Sequence, residues 1–255
     1  MINDGVCSMS HVLIEICCGS ADDVIEAAKG GADRVELNAN LFQGGLTPTL
    51  GALLVAKQRA KVPVMVMIRP REGGFCYTKT EFDVALADAE MLLQAGADGL
   101  VFGFLHEDGR VDAGRTREMI RLAAGKPCVF HRALDVTPDW RQALDTLIDL
   151  GITRVLTSGQ ESSALLGAET IAEMMRFADG AIEILPGAGI TLRNAQRVID
   201  ATGCTQVHLS SRKQLTDRSV CNNRSIQFGG ALYPPEDAYG MTDWEQVAAL
   251  KKALK

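Results

Sequence analysis

Chemically reactive side chains stand at the downstream ends of a series of short apolar segments. These segments end at Glu15 and Cys17, at Glu36 and Asn38, at Arg69, at His131 and Arg132, at Thr157 and Ser158, at Pro186 and Gly187, and at Ser210 and Ser211. Helical patterns lie between the segments. In a closed parallel barrel all strands run in one direction, so their carboxyl ends meet at a single mouth. The pattern therefore predicts a fold and the location of a site.

Eight strand candidates begin near residues 12, 34, 64, 99, 127, 154, 182 and 206. Their spacing matches strand–helix units, and a helix-ending glycine precedes four of them, at Gly31, Gly96, Gly151 and Gly203. The strands are apolar throughout, as expected when both faces are covered. We predict an α/β fold, a single-domain (β/α)8 barrel of the TIM type. A doubly wound open sheet is the alternative, although no strong dinucleotide-binding fingerprint follows the first strand.

The predicted barrel domain covers residues 11–255, after a flexible N-terminal tail at residues 1–10. Residues 210–241 form a long connection before the last helix, rich in Ser, Arg, Asn, Gly and Pro, which we interpret as a lid or a subunit contact. Capping boxes are predicted at three helix starts, and an N-cap followed by an N1 proline at a fourth. These starts are Ser20 with Asp23, Thr78 with Glu81, Thr242 with Glu245, and Thr137-Pro138.

Composition excludes several classes of function. The formal charge of −6 argues against a nucleic-acid or acidic-membrane partner. No apolar run approaches the roughly 20 residues of a membrane span. The seven cysteines are odd in number and scattered, which is not a disulfide framework. Reduced thiols and a cytoplasmic location are expected.

Strand parity sorts the charged candidates at the mouth. Glu15, Glu36 and Arg69 are expected to form one charge-balanced cluster, either catalytic or a structural salt-bridge network. His131 is the best acid–base candidate because imidazole titrates near neutrality. Asp135 could fix the tautomer of His131.

Anion-binding candidates lie in the loops around the same mouth. Gly187 and Gly189 follow the seventh strand, and Thr191 is expected to open the next helix, an arrangement that suits phosphate or carboxylate. Tight turns alone are the other explanation for these glycines. Further substrate-binding candidates are Arg132, Thr157, Ser158 and Ser210.

Two thiols are candidates for binding a soft metal. Cu(I) prefers thiolate and thioether ligands, and Cys17 at the mouth and Cys76 after the third strand could supply them. The alternative is that both cysteines are small buried hydrophobic residues.

Several ordered motifs together resemble the CutC copper homeostasis family. They include Glu15-Ile16-Cys17-Cys18, Gly31-Ala32-Asp33-Arg34-Val35-Glu36-Leu37, Gly44-Gly45-Leu46-Thr47-Pro48, Ile68-Arg69-Pro70-Arg71, Phe75-Cys76-Tyr77, Phe130-His131-Arg132-Ala133, Val155-Leu156-Thr157-Ser158-Gly159 and Val207-His208. The resemblance covers nearly the whole chain from Val12 onward. It implies a TIM-type barrel, a cytoplasmic homo-oligomer (a dimer or tetramer) and a role in copper handling. It also implies Cu(I) ligands among the mouth cysteines, whereas Asn38 stands where the family commonly has cysteine.

Two functions follow from these observations. The first is a copper homeostasis protein that binds Cu(I) through Cys17 and Cys76. The second is a small-molecule enzyme of the lyase, aldolase or isomerase type, acting on a small anionic metabolite or a carbonyl compound. Its catalytic candidates are Glu15, Glu36, Arg69, His131 and Asp135.

Overall fold

A computed structural model describes residues 12–223, 225–229 and 235–254. The predicted N-terminal tail, residues 1–10, lies outside the described residues. The strands are β1 (Leu13–Cys18), β2 (Arg34–Leu37), β3 (Val64–Met67), β4 (Gly99–Phe102), β5 (Cys128–Phe130), β6 (Arg154–Thr157), β7 (Glu183–Pro186), β8 (Gln206–Leu209), β9 (Arg212–Thr216) and β10 (Ala238–Thr242). The helices are α1 (Ala21–Lys29), α2 (Leu50–Arg59), α3 (Lys79–Gln94), α4 (Ala113–Ala123), α5 (Trp140–Leu150), α6 (Ala168–Ala178), α7 (Ala195–Thr202) and α8 (Trp244–Ala253).

The first eight strands form one parallel sheet in the order β7-β6-β5-β4-β3-β2-β1-β8, which curls into a nearly closed barrel. A side chain bridges the seam between β7 and β8, where Gln206 Nε2 donates to Glu183 Oε2 at 3.1 Å and to the Ile184 carbonyl at 3.5 Å. The barrel prediction is confirmed, and each strand begins within one residue of its predicted start. The open-sheet alternative is wrong because β1 to β7 follow one another in sequential order and the last barrel strand, β8, returns to pair with β1.

Apolar side chains pack in two separate layers. The larger core lies between the strands and the surrounding helices. The smaller one fills the interior of the barrel and consists of Met65, Met67, Val101, Val129, Leu156 and Leu185. Burying a side chain of this kind contributes about 1.5–3 kcal/mol relative to leaving it exposed. We call these six residues the apolar plug.

Helix starts follow the predicted chemistry in part. Thr78 and Glu81 form the predicted capping box of α3. Ser20 caps α1, but the Asp23 carboxylate accepts from the Gly19 amide at 2.8 Å and so forms a different turn.

Two predicted helix starts are wrong. The prediction at Thr242 is one residue early, since Asp243 caps α8 while Thr242 still belongs to β10. The prediction at Thr137-Pro138 is two residues early, because Thr137 closes a 3-10 turn and Asp139 caps α5.

The connection at residues 210–241 contains regular structure that the sequence reading missed. Strands β9 and β10 pair in an antiparallel ribbon. The ribbon is fixed to α1, since Asp23 Oδ1 accepts from the Thr242 amide at 2.5 Å. None of the described helices is long and apolar enough to cross a membrane.

Candidate functional site

A cavity of about 270 Å³ opens at the carboxyl ends of the barrel strands. Its lining consists of Cys17, Glu36, Asn38, Gly44, Met67, Arg69, Phe75, His131, Arg132, Leu156 and His208. Strand parity therefore brings together the predicted residues Cys17, Glu36, Arg69, His131 and Arg132. It also brings in His208, which was not among the predicted site residues. Its signal was present in the sequence, because alternation along β8 points the side chain into the barrel.

One wall of the cavity holds a thiol, a carboxylate and an amide in contact. Cys17 Sγ lies 3.9 Å from Glu36 Oε1, and Asn38 Nδ2 donates to Glu36 Oε1 at 2.9 Å and to Cys17 Sγ at 3.6 Å. Burial raises the pKa of the Glu36 carboxyl and of the Cys17 thiol. Both groups therefore hold their protons more firmly than they would in water.

His208 stands beside this wall in a buried charge network. Its Nδ1 lies 2.7 Å from Glu15 Oε1, and Glu15 also pairs with Arg34. Burial alone would raise the pKa of Glu15, but the hydrogen bond with His208 and the charge of Arg34 lower it to about 2. Burial alone would lower the pKa of His208, but the charge of Glu36 and the hydrogen bonds with Cys17 and Glu15 raise it well above its ordinary value.

The expected Glu15–Glu36–Arg69 cluster does not form. Glu15 forms its ion pair with Arg34, the first residue of β2. Arg34 was not among the predicted site residues. The Arg69 guanidinium donates instead to the backbone carbonyls of Gln43, Gly45 and Gly73, at 2.8–3.0 Å. Among the described residues no carboxylate lies within ion-pair distance of Arg69.

His131 is a neutral hydrogen-bond donor in this arrangement. Its Nδ1 accepts from the Ala133 amide at 3.2 Å, so the ring proton lies on Nε2. Burial, together with the nearby charge of Arg69, lowers the pKa of His131 to about 3. The ring packs against Phe75 with centroids 4.8 Å apart.

Asp135 does not orient His131, contrary to the expected role. Its carboxylate accepts from Thr157 Oγ1 at 2.5 Å, from Ser158 Oγ at 2.8 Å and from the Ser158 amide. It also pairs with Arg132 Nε at 2.7 Å. Thr157 and Ser158 are buried and hold the Asp135 loop in place. Their role in substrate binding stays a prediction.

The loop of Gly187 and Gly189, which was predicted to bind an anion, lies next to the cavity but does not line it. A Cβ on Gly187 would lie 2.6 Å from Leu156 and 3.4 Å from His208, so this glycine allows close packing against two cavity residues. Thr191 does not open α7, which begins at Ala195. Ser210 is exposed in a neighbouring groove beside β9. Anion binding at Gly187 and Gly189 stays a prediction.

The two candidate thiols differ in environment. Cys17 is half-buried in the cavity wall, whereas Cys76 is exposed on the loop after β3 and is not among the lining residues. Within the described part of the chain, the structure brings together one group of potential metal ligands, Cys17, Glu36 and His208, whose ligand atoms all lie within 4.8 Å of one another. Cys76 as a ligand stays a prediction.

Comparisons with known proteins agree with the resemblance seen in the motifs. The CutC family model matches residues 12–213. The chain belongs to the CutC family. A CutC family protein of Treponema denticola is 50% identical over 246 residues, which cover 96% of this chain and 100% of that protein. The copper homeostasis protein cutC homolog of Homo sapiens is 42% identical over 243 residues, or 95% of this chain and 89% of the human protein.

A solved structure shows that the CutC family shares this barrel. The crystal structure of CutC from Streptococcus agalactiae superposes with a TM-score of 0.75 at 33% identity. The match covers 78% of this chain and 98% of that chain.

Proposed function

We propose that this CutC family member serves copper homeostasis by binding one copper ion at the barrel mouth, with Cys17, Glu36 and His208 as ligands. The observation that carries the proposal is the mutual approach of their three ligand atoms to within 4.8 Å at the wall of an open cavity. The names of the human and mouse relatives, copper homeostasis protein cutC homolog, agree with it.

The chemistry of these side chains suits copper. Thiolate and imidazole are preferred ligands of this metal, and Glu36 adds a negative charge beside them. The Glu15 carboxylate holds His208 Nδ1, which leaves Nε2 as the available ligand atom. A carboxylate behind a histidine is the usual way in which proteins orient an imidazole toward a metal. Copper has to displace protons from Cys17 and His208, so binding releases protons.

A competition titration with a chromophoric Cu(I) chelator tests the site. Reduced protein is expected to take up one Cu(I) per chain, and Cys17→Ser to weaken binding by about a hundredfold because it removes the soft ligand. Cys128→Ser, which alters a buried thiol of β5, is the matched control and is expected to bind as the wild type does. Undiminished affinity in Cys17→Ser would remove the proposal.

The same titration separates the two possible ligand sets. Cys76→Ser is expected to retain the wild-type affinity if Glu36 and His208 complete the site. A loss in Cys76→Ser equal to that in Cys17→Ser would support the two-cysteine site that the sequence predicts.

A different observation supports a second candidate function, an enzyme acting on a small anionic or carbonyl compound. Buried polar atoms of Glu36, Asn38, Arg69 and His131, all cavity residues, have no hydrogen-bond partner in the part of the chain that the structure describes. Unpartnered buried groups are costly and mark functional sites. A screen of small metabolites for conversion by the purified protein tests this candidate.

The cytoplasmic location and the homo-oligomeric state stay predictions. Light scattering on the eluting protein distinguishes a dimer or tetramer from a monomer of 27.4 kDa.

A further inference from the structure

Four residues that line the mouth cavity carry buried polar atoms with no hydrogen-bond partner among the described residues. The donors are Arg69 Nε and His131 Nε2, and the acceptors are Glu36 Oε2 and Asn38 Oδ1. An unsatisfied buried polar group costs about 1–3 kcal/mol, and native proteins retain few of them. The convergence of four on residues of one cavity points to a ligand that pairs with them.

The buried charge of Arg69 indicates that the ligand carries an anionic group. Arg69 is 7% exposed, and its two terminal nitrogens make three hydrogen bonds to backbone carbonyls of the loops after β2 and β3. A buried positive charge without a counter-ion is expensive. Since no carboxylate of the described chain pairs with Arg69, the free Nε edge fits an anion supplied from outside.

His131 supplies a second donor next to Arg69. It is 4% exposed, and the charge of Arg69 acts on its ring. The Ala133 amide occupies Nδ1, so Nε2–H is a donor of fixed direction. Phe75 packs on His131 and also lies 5.4 Å from the Arg69 guanidinium, which joins the two donors into one wall. Two such donors suit the two oxygens of a carboxylate.

The acceptors and the apolar lining define the rest of the ligand. Glu36 and Asn38 call for hydroxyl donors, since their other polar atoms already bond to each other. Met67, Leu156 and Phe75 form an apolar part of the cavity lining, which suits the short carbon chain of a ligand. The volume of about 270 Å³ is near the lower limit of ordinary ligand pockets, about 300 Å³.

We propose that the mouth cavity binds a small hydroxycarboxylate. The carboxylate accepts from Arg69 Nε and His131 Nε2, and the hydroxyl groups donate to Glu36 and Asn38. This inference builds on the second candidate function, the enzyme, because it names the ligand that would bind in the same cavity. It does not depend on copper binding.

Calorimetry with three matched probes tests the assignment on metal-free protein in a chelating buffer. Glycerate carries both groups, propanoate carries only the carboxylate, and glycerol carries only hydroxyls. Glycerate is expected to bind at least about tenfold more tightly than either of the others, since each lacks one set of partners. Inorganic phosphate, as a fourth probe, separates a carboxylate site from a general anion site.

Variants locate the binding. His131→Phe and Arg69→Lys are each expected to weaken glycerate binding by about tenfold or more. His106→Phe and Arg115→Lys are the matched controls, because both residues lie outside the cavity lining, and these variants are expected to bind as the wild type does. In the wild type, glycerate is expected to shift the NMR resonance of the His131 Nε2–H, a readout that needs no variant to fold.

Several results would overturn the assignment. They are equal affinity for glycerate, propanoate and glycerol, tighter binding of phosphate than of glycerate, or an unmoved His131 resonance at saturating glycerate. Glycerate that binds without being converted would support this ligand class while counting against the enzyme, so the two proposals fail separately.

Discussion

Asn38 occupies a position from which a thiol would face Cys17. Its Nδ2 lies 3.6 Å from Cys17 Sγ. We expect Asn38→Cys to raise Cu(I) affinity by at least about tenfold, because two thiolates then share the ion. Chelator competition measures the change. Ala39→Cys, which places the added thiol one residue along, is the control, and an equal gain in both variants would contradict the geometry.

His131 makes the stability of the fold depend on pH. Its pKa falls from 6.5 to about 3 on folding, so between these values the unfolded chain binds more protons than the folded one. Stability is therefore lost as pH falls from 6.5 toward 3, by up to about 5 kcal/mol for the full shift. We expect His131→Gln to be less sensitive to acid than the wild type in urea unfolding at pH 7 and pH 4.5. Parallel losses in both proteins would contradict this.

The sequence was sufficient to predict which side chains share the mouth but not how they pair. Alternation along each strand placed Cys17, Glu36, Arg69 and His131 in one cavity. The prediction that Glu15 joins a cluster with Arg69 was wrong. The actual partner of Glu15 depends on the register of β1 against β2, which sets Glu15 opposite Arg34. Register and barrel closure are tertiary properties that no local pattern contains.

At the scale of the elements, one aspartate links three of them. Asp23 of α1 accepts from the Gly19 amide and from the Thr242 amide of β10, and it lies 3.5 Å from Arg212 of β9. Asp23→Ala removes the acceptor of the buried Thr242 amide and of the partly buried Gly19 amide, so we expect a loss of about 2–4 kcal/mol in the free energy of unfolding. Asp22→Ala, at the exposed neighbouring position, is the control.

Hydrogen exchange adds a local readout of the same change. The amides of the β9–β10 ribbon are expected to exchange faster in Asp23→Ala, while those of β3 to β5 keep their protection. A uniform increase over the barrel would indicate a global loss of stability and not the loosening of an anchor.

The ribbon itself was missed because its sequence carries little signal. Arg212–Thr216 contains one large apolar residue, and its partner strand lies 22 residues further along the chain. The capping box at Thr78 was predictable because its whole chemistry is contained in four consecutive residues.

At the scale of the whole molecule, the barrel has one seam without a backbone ladder. Strands β7 and β8 are the two ends of the sheet, and Gln206 joins them through its side chain. Amides of β8 that face β7 are expected to exchange faster than the alternate amides that pair with β1. Gln206→Met should enlarge this difference, as measured by hydrogen–deuterium exchange with residue resolution. Equal protection on both sides of β8 would show a fully closed ladder.

The overall architecture was the most predictable level. Eight apolar segments at strand–helix spacing, most of them followed by reactive residues, specify a parallel barrel with one functional end. The strand starts agree because burial on both faces makes the segments continuously apolar, so their limits are visible in the sequence.

The apolar plug has a consequence for ligand exchange. All six of its side chains are at most 5% exposed, and they shut the barrel beneath the cavity. The mouth is therefore both the entrance and the exit. The proposed copper ion and the proposed hydroxycarboxylate both use Glu36 and this single opening, so we expect occupancy by one to slow the entry and the departure of the other.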